Sequence, residues 1–75
     1  MNKMYILDAD REAMKEFVYE VLVPHTASIH LGYKIGGSEN ERLLVHLVNE
    51  DLEKWFVKAC NAYNVTIMYS EKEAA

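Results

Sequence analysis

The feature that most constrains the fold is a pair of alternating apolar runs separated by glycines. Apolar side chains occupy every second position over residues 29–35 and again over residues 43–47, which is the period of a β-strand with one buried face. Residues 36–40 between them read Gly-Gly-Ser-Glu-Asn. Glycine adopts positive φ without steric cost, so a turn of about four to six residues fits there. The stretch predicts an antiparallel β-hairpin at the middle of the fold.

Two pairing registers of this hairpin place both apolar rows on one face. In the first register, Leu31 faces Val45 and His30 faces His46. In the second, which is shifted by two residues, Gly32 faces His46. A slip of one residue would move a whole apolar row into water, so it is excluded. The sequence leaves the other two registers open.

Two amphipathic helices flank the hairpin. The first has Asp10 as its N-cap and is predicted to run for about thirteen residues, until Pro24 ends it and forces Val23 into extended geometry. The second is predicted to be capped by Asn49 and to end at Asn64, a residue type suited to the left-handed position after a helix. Each helix has a single apolar stripe, so each is expected to cover one face of a sheet.

Short apolar runs at residues 3–8 and 65–69 predict the first and last strands. The element order is then βαββαβ, with the β-α-β unit occurring twice. Both helices can lie on one side of a four-stranded antiparallel sheet, which is an α+β, ferredoxin-like arrangement. The 75 residues are expected to form a single domain with a core over about residues 3–70 and a frayed tail at residues 71–75.

Composition limits the setting and the partners. Cys60 is the single cysteine and cannot form an internal disulfide. Together with the absence of a signal peptide or a long apolar run, this favours a reducing, cytoplasmic location and no membrane partner. The chain carries 8 basic and 12 acidic residues, for a net charge of −4. Nucleic acid is therefore an unfavourable partner, because the net charge repels phosphate at long range.

One face of the predicted sheet has no helix on it, and this open face is expected to bind partners. A face that mixes Leu, Val, Met and Tyr with histidines is more apolar than a monomer usually exposes, so we expect a homodimer or a bound protein partner there. Protonation of its two histidines below neutral pH would make such assembly sensitive to pH. By alternation the face carries His30, Gly32, Lys34, Leu44, His46 and Val48, with Tyr5, Leu7, Thr66 and Met68 from the outer strands, although the parity of the first strand is left open.

The first helix offers a second candidate surface. Glu12, Glu16 and Glu20 follow one another at steps of four, with Tyr19 beside them. Like charges at this spacing cost a few tenths of a kcal/mol per pair. The column is either a solvated helix face or a docking surface for a basic partner, with Tyr19 as its aromatic anchor.

Three groups could carry chemistry instead. Asp8 and Asp10, spaced i and i+2, could hold Mg²⁺, or they could be a turn residue and an N-cap. Cys60 on the flank of the buried stripe is expected to be a packed thiol. No cofactor or metal is expected, because zinc needs three or four converging ligands. The histidines to weigh as such ligands are His25, His30 and His46.

Taken together, these features favour a non-catalytic protein–protein interaction module that dimerises through the open face and docks a protein partner. Such a module could serve as a regulatory subunit or as an inhibitor that a phage or other mobile element makes against a host protein. A small-ligand-sensing regulatory domain is one alternative. A metal-dependent nuclease or phosphotransferase using Asp8 and Asp10 is the other.

Overall fold

The computed structural model describes residues 3–35 and 39–72, and it confirms the βαββαβ order of a ferredoxin-like fold. Of the turn predicted at residues 36–40, residues 36–38 lie outside the described residues, and Asn40 already belongs to β3. All strand pairs are antiparallel, in the order β2-β3-β1-β4. The hairpin is therefore not wholly central, because β2 is an edge strand and β1 pairs with β3. The elements are β1 (Lys3–Asp10), α1 (Arg11–Phe17), β2 (Ile29–Ile35), β3 (Asn40–Leu47), α2 (Glu53–Ala62) and β4 (Thr66–Lys72).

The first helix starts where the sequence predicts, but it does not end at Pro24. The Asp10 side chain accepts a hydrogen bond from the Ala13 N–H at 2.9 Å. After α1 the chain widens into a π-helical turn and then a 3-10 turn, and Val23 is helical with φ −59° and ψ −43°. The prediction of an extended Val23 was wrong. Its N–H donates to the Val18 carbonyl, while Pro24 lies in the first turn of the next helix, where a missing N–H costs nothing.

The second helix is preceded by a 3-10 turn and ends as predicted. The Asn49 side chain accepts from the Asp51 N–H at 3.0 Å, so it caps the 3-10 turn Glu50–Leu52 that leads into α2. Asn64 adopts the left-handed conformation, with φ 59°. The Val65 N–H donates to the Cys60 carbonyl at 2.8 Å, which closes a Schellman motif and turns the chain into β4.

The core lies between the sheet and the two helices. Tyr5 and Leu7 are 1% and 0% exposed on the helix-facing side of β1, so their predicted place on the open face was wrong. Met4 and Ile6 take the open positions instead. Apolar side chains occupy both odd and even positions of β1, so alternation could not show which set faces the helices. Packing decides, because the Tyr5 ring lies 4.8 Å from the Phe56 ring of α2.

A β-bulge in β2 divides the hairpin into two registers. His30 faces His46 and Leu31 faces Val45, as in the first predicted register. Between Leu31 and Lys34 the register shifts, and Lys34 then faces Leu43. Leu43 belongs to the core, so Lys34 lies on the helix side of the sheet. Its predicted place on the open face was wrong. A bulge inserts one residue into a strand, so the side chains that follow it point to the other face of the sheet.

A second bulge lies in the other edge strand. Ile67 faces Leu7 and Tyr69 faces Ile6, which leaves Met68 as the inserted residue. The strand is also longer than predicted. Residues 71 and 72 pair with β1 and are not a frayed tail, whereas residues 73–75 lie outside the described part of the chain. Bulges in both edge strands disfavour the addition of a further strand at either edge.

Candidate interaction surfaces

The open face consists of three rows of side chains that run across the strands. Both helices pack on the opposite side of the sheet. The central row holds Gly32, Leu44, Ile6 and Tyr69. The histidine row holds His30, His46, Met4 and Glu71. The third row holds Arg42, Asp8 and Thr66.

The central row is apolar and closely packed. Leu44 is only 9% exposed although it faces away from the helices. It reaches that burial by lying across Gly32, since a Cβ at Gly32 would sit 3.0 Å from Leu44 Cδ2. Ile6 beside it is half-buried, and Tyr69 at the end of the row is 48% exposed. Sequence reasoning missed both Ile6 and Tyr69, because it assigned the wrong parity to β1 and did not foresee the bulge in β4.

The histidine row places two imidazoles directly opposite each other. His30 is exposed and His46 is half-buried, on neighbouring strands. Val48 follows on the same side of β3, and its N–H donates to the Ser28 carbonyl at 2.8 Å. At the far end of the row, the Glu71 carboxylate accepts a hydrogen bond from the Tyr69 hydroxyl at 2.9 Å. The row is polar and borders the apolar centre.

The third row holds the two carboxylates considered for a metal site. Asp8 accepts hydrogen bonds from Arg42 Nε at 2.9 Å and from Asn40 Nδ2 at 2.8 Å. Both hydrogen bonds lower the pKa of the Asp8 carboxyl, and the bond from Arg42 contributes more than the bond from Asn40. Asp10 caps α1 through Ala13. Each carboxylate is thus engaged by the protein itself, and the described residues contain no group of three or more His, Cys, Asp or Glu side chains able to hold a metal ion.

The acidic column, which runs from α1 into the π-helical turn Val18–Leu22, is exposed, but its end lies near α2. Glu12, Glu16, Tyr19 and Glu20 are all exposed. A hydrogen bond with Glu20 raises the pKa of Tyr63 on α2, so Glu20 belongs partly to the contact between the two helices. Docking of a basic partner on this column stays a prediction.

The remaining candidates do not converge on a reactive centre. Cys60 is fully buried, and this desolvation raises the pKa of its thiol to about 12, which confirms a packed thiol. His25 bonds the Val21 carbonyl through Nδ1 at 2.8 Å, and its ring centre lies 4.6 Å from that of Trp55, with the two rings tilted by 51°. It therefore supports the helical turn after α1, on the opposite side of the sheet from the histidine row.

No family model, no curated protein and no solved structure matches this chain. Among the described residues, no helix has both the length and the apolar character that crossing a membrane requires.

Proposed function

We propose that the protein is a non-catalytic interaction module and that a second copy of the chain covers its open face. The observation that carries this proposal is the apolar central row, which is bordered by a polar row on each side and has no helix packed over it. Apolar centres with polar rims are the anatomy of protein–protein interfaces. A twofold contact would lay the central row of one copy against that of the other.

The size of the face is compatible with a small dimer interface. The two longer extents of the molecule are 34 and 21 Å, so the open face covers at most roughly 700 Å², somewhat below the ~800 Å² that each partner contributes to a standard interface. The charges are compatible as well, because Arg42 is paired with Asp8 within the face. A chain with a net charge of −4 repels its own copies, so a nearly neutral, apolar face is the favourable place for them to meet.

The edges of the sheet support contact through the face. Both edge strands are bulged, β2 between Leu31 and Lys34 and β4 at Met68. Bulges interrupt the row of unpaired backbone groups that a further strand would need. Self-association by extending the sheet is therefore disfavoured, and stacking of two open faces is the alternative that the geometry leaves.

Sedimentation velocity over about 10–500 µM tests the proposal. We expect a monomer–dimer equilibrium that Ile6→Glu and Tyr69→Glu weaken at least tenfold, because each places a charge in the central row. Tyr69 is already half-exposed, so its replacement leaves the core intact even if Ile6→Glu impairs folding. Val23→Glu is the matched control, since Val23 is an exposed apolar residue outside the sheet. A wild type that stays monomeric, or variants that dimerise as Val23→Glu does, would overturn the proposal.

A further inference from the structure

A groove between α1 and the edge strand β2 is a second unassigned surface, on the helix side of the sheet. Its volume is about 460 Å³. Its apolar lining is formed by Met14, Val18, Leu31 and Leu43, with Tyr19 at the side. Leu31 is 51% and Tyr19 64% exposed, so two of the largest exposed apolar side chains of the described residues meet here. We call this surface the α1–β2 groove.

The rim of the α1–β2 groove is basic. Arg11, Lys15 and Lys34 line it, and Glu41 is its one acidic lining residue. Arg42 also borders the groove, but its guanidinium bonds Asp8 on the open face. Three of the eight basic residues of the chain thus bring their charge to one groove, with one of its twelve acidic residues. Glu41 is shared between Lys34 at 2.8 Å and Arg11 at 3.4 Å, so one carboxylate serves two cations. Lys15 forms no ion pair with any described residue.

The bulge in β2 creates this charge pattern. Without it, Lys34 would lie on the open face, in the same parity as Gly32. The shift in register places Lys34 opposite Leu43, beside the helix. Arg11 and Lys15 are one turn apart on α1, so they face the groove together. Cations therefore flank the apolar floor from the helix and from the sheet.

We propose that the α1–β2 groove binds a short segment of a partner protein in which one large apolar side chain is flanked by carboxylates. The apolar side chain would lie on Leu31 and Tyr19, and the carboxylates would pair with Lys15 and Lys34. Charge complementarity selects this occupant. The inference does not depend on dimerisation, because the groove and the open face lie on opposite sides of the sheet.

The surroundings of the groove disfavour a nucleic acid as the occupant. The acidic column Glu12, Glu16 and Glu20 runs along the same helix, directly beside the basic residues. A phosphate backbone that continues beyond the groove would meet these carboxylates. A short peptide can keep its acidic groups within the groove, and its apolar side chain uses a floor that phosphates cannot.

Selection from a phage-displayed random heptapeptide library tests the proposal, followed by fluorescence anisotropy with the selected peptides. We expect selected peptides in which an apolar residue stands between Asp or Glu residues. Lys15→Glu and Leu31→Ser should weaken their binding at least tenfold, while Lys58→Glu should change it less than twofold. Lys58 is an exposed residue of α2 outside the groove, and its variant carries the same change of charge. Circular dichroism of each variant establishes that it is folded.

Four results would overturn the proposal. The selected peptides could be basic, or could bind Lys15→Glu as well as the wild type. An oligothymidylate could bind the wild type and lose its affinity in Lys15→Glu, which would make the groove a nucleic-acid site. Sedimentation could show that Lys15→Glu dissociates a wild-type oligomer, which would make a second copy the occupant. If Ile6→Glu no longer dimerises but still binds the selected peptides, the groove binds its partner independently of the proposed dimer.

Discussion

At the scale of single residues, Asp8 shows how one carboxylate supports two different interpretations. In the sequence it is one of two aspartates at metal-ligand spacing. In the fold it faces Arg42 across the sheet and also accepts a hydrogen bond from Asn40. The guanidinium occupies the position that a cation would take. Asp8 is therefore best explained as a stabilising group that joins β1 to β3 at the edge of the open face.

We expect Asp8→Asn to lower the free energy of unfolding by about 0.2–1 kcal/mol at pH 7, the usual range for a surface ion pair. Because the pKa of Asp8 is lowered in the folded state, its contribution is complete above the pKa of an unfolded aspartate and is lost as the pH falls through the folded value. Urea unfolding should therefore show wild type and variant converging below about pH 4. Asp51→Asn is the control, and an equal loss of stability there would contradict the assignment.

Residues whose role is set by their chain neighbours were predictable, and those whose role depends on distant contacts were not. Asp10 was identified as an N-cap and Asn64 as a left-handed residue, because each bonds within its own turn. Tyr5 was placed on the wrong face. Both parities of β1 are apolar, and the choice is made by Phe56, which lies about fifty residues further along the chain.

At the scale of secondary-structure elements, the bulge in β2 accounts for the misplacement of Lys34. Alternation predicted a strand of continuous parity, and the bulge reverses that parity after Leu31. The bulge in β4 interrupts the parity at Met68, so that Tyr69 lies opposite Ile6. Gly32, next to the bulge in β2, allows Leu44 to lie across the strand. The sequence contains the glycine, but the residue that it accommodates lies on the neighbouring strand.

The turn from α2 into β4 gives a test of element geometry. Asn64 has φ 59°, where a β-branched side chain is strained by about 1–2 kcal/mol and glycine is not. Asn64→Val should lower the free energy of unfolding by about that amount, and Asn64→Gly should raise it by up to about 1 kcal/mol. Urea unfolding measures both.

Asn61 is the matched control for that test, because it is an exposed residue of the preceding helix. There Asn61→Gly should lower stability by about 0.3 kcal/mol, since glycine disfavours helix. We therefore expect glycine to raise the free energy of unfolding at position 64 and to lower it at position 61. A loss of stability at both positions would mean that Asn64 is not left-handed in solution.

At the scale of the whole molecule, the fold separates charges that the composition averages. The net charge of −4 argued against nucleic acid as a partner. The hairpin and α1 nevertheless bring Arg11, Lys15 and Lys34 to one groove. No spacing in the sequence indicates this, because Lys15 and Lys34 come from different elements and meet only when β2 packs beside α1. Net charge therefore predicted long-range repulsion but not the chemistry of the local surface.

The proposed dimer should weaken as the pH falls. His30 and His46 face each other on the open face, and histidine gains a positive charge between about pH 8 and pH 5. Two like charges on directly opposite strand positions repel, and their desolvation under a second sheet adds to the cost of association.

Sedimentation velocity at pH 8 and pH 5.5 measures this effect. We expect the dimer dissociation constant to rise at least tenfold on acidification in the wild type and less than threefold in His30→Gln. His25→Gln is the matched control, because His25 supports the turn after α1 on the other side of the sheet, and it should retain the full dependence on pH. An unchanged oligomer at both pH values would contradict the prediction. A dimer that tightens on acidification would do so as well, because it would mean that the histidines face carboxylates across the interface.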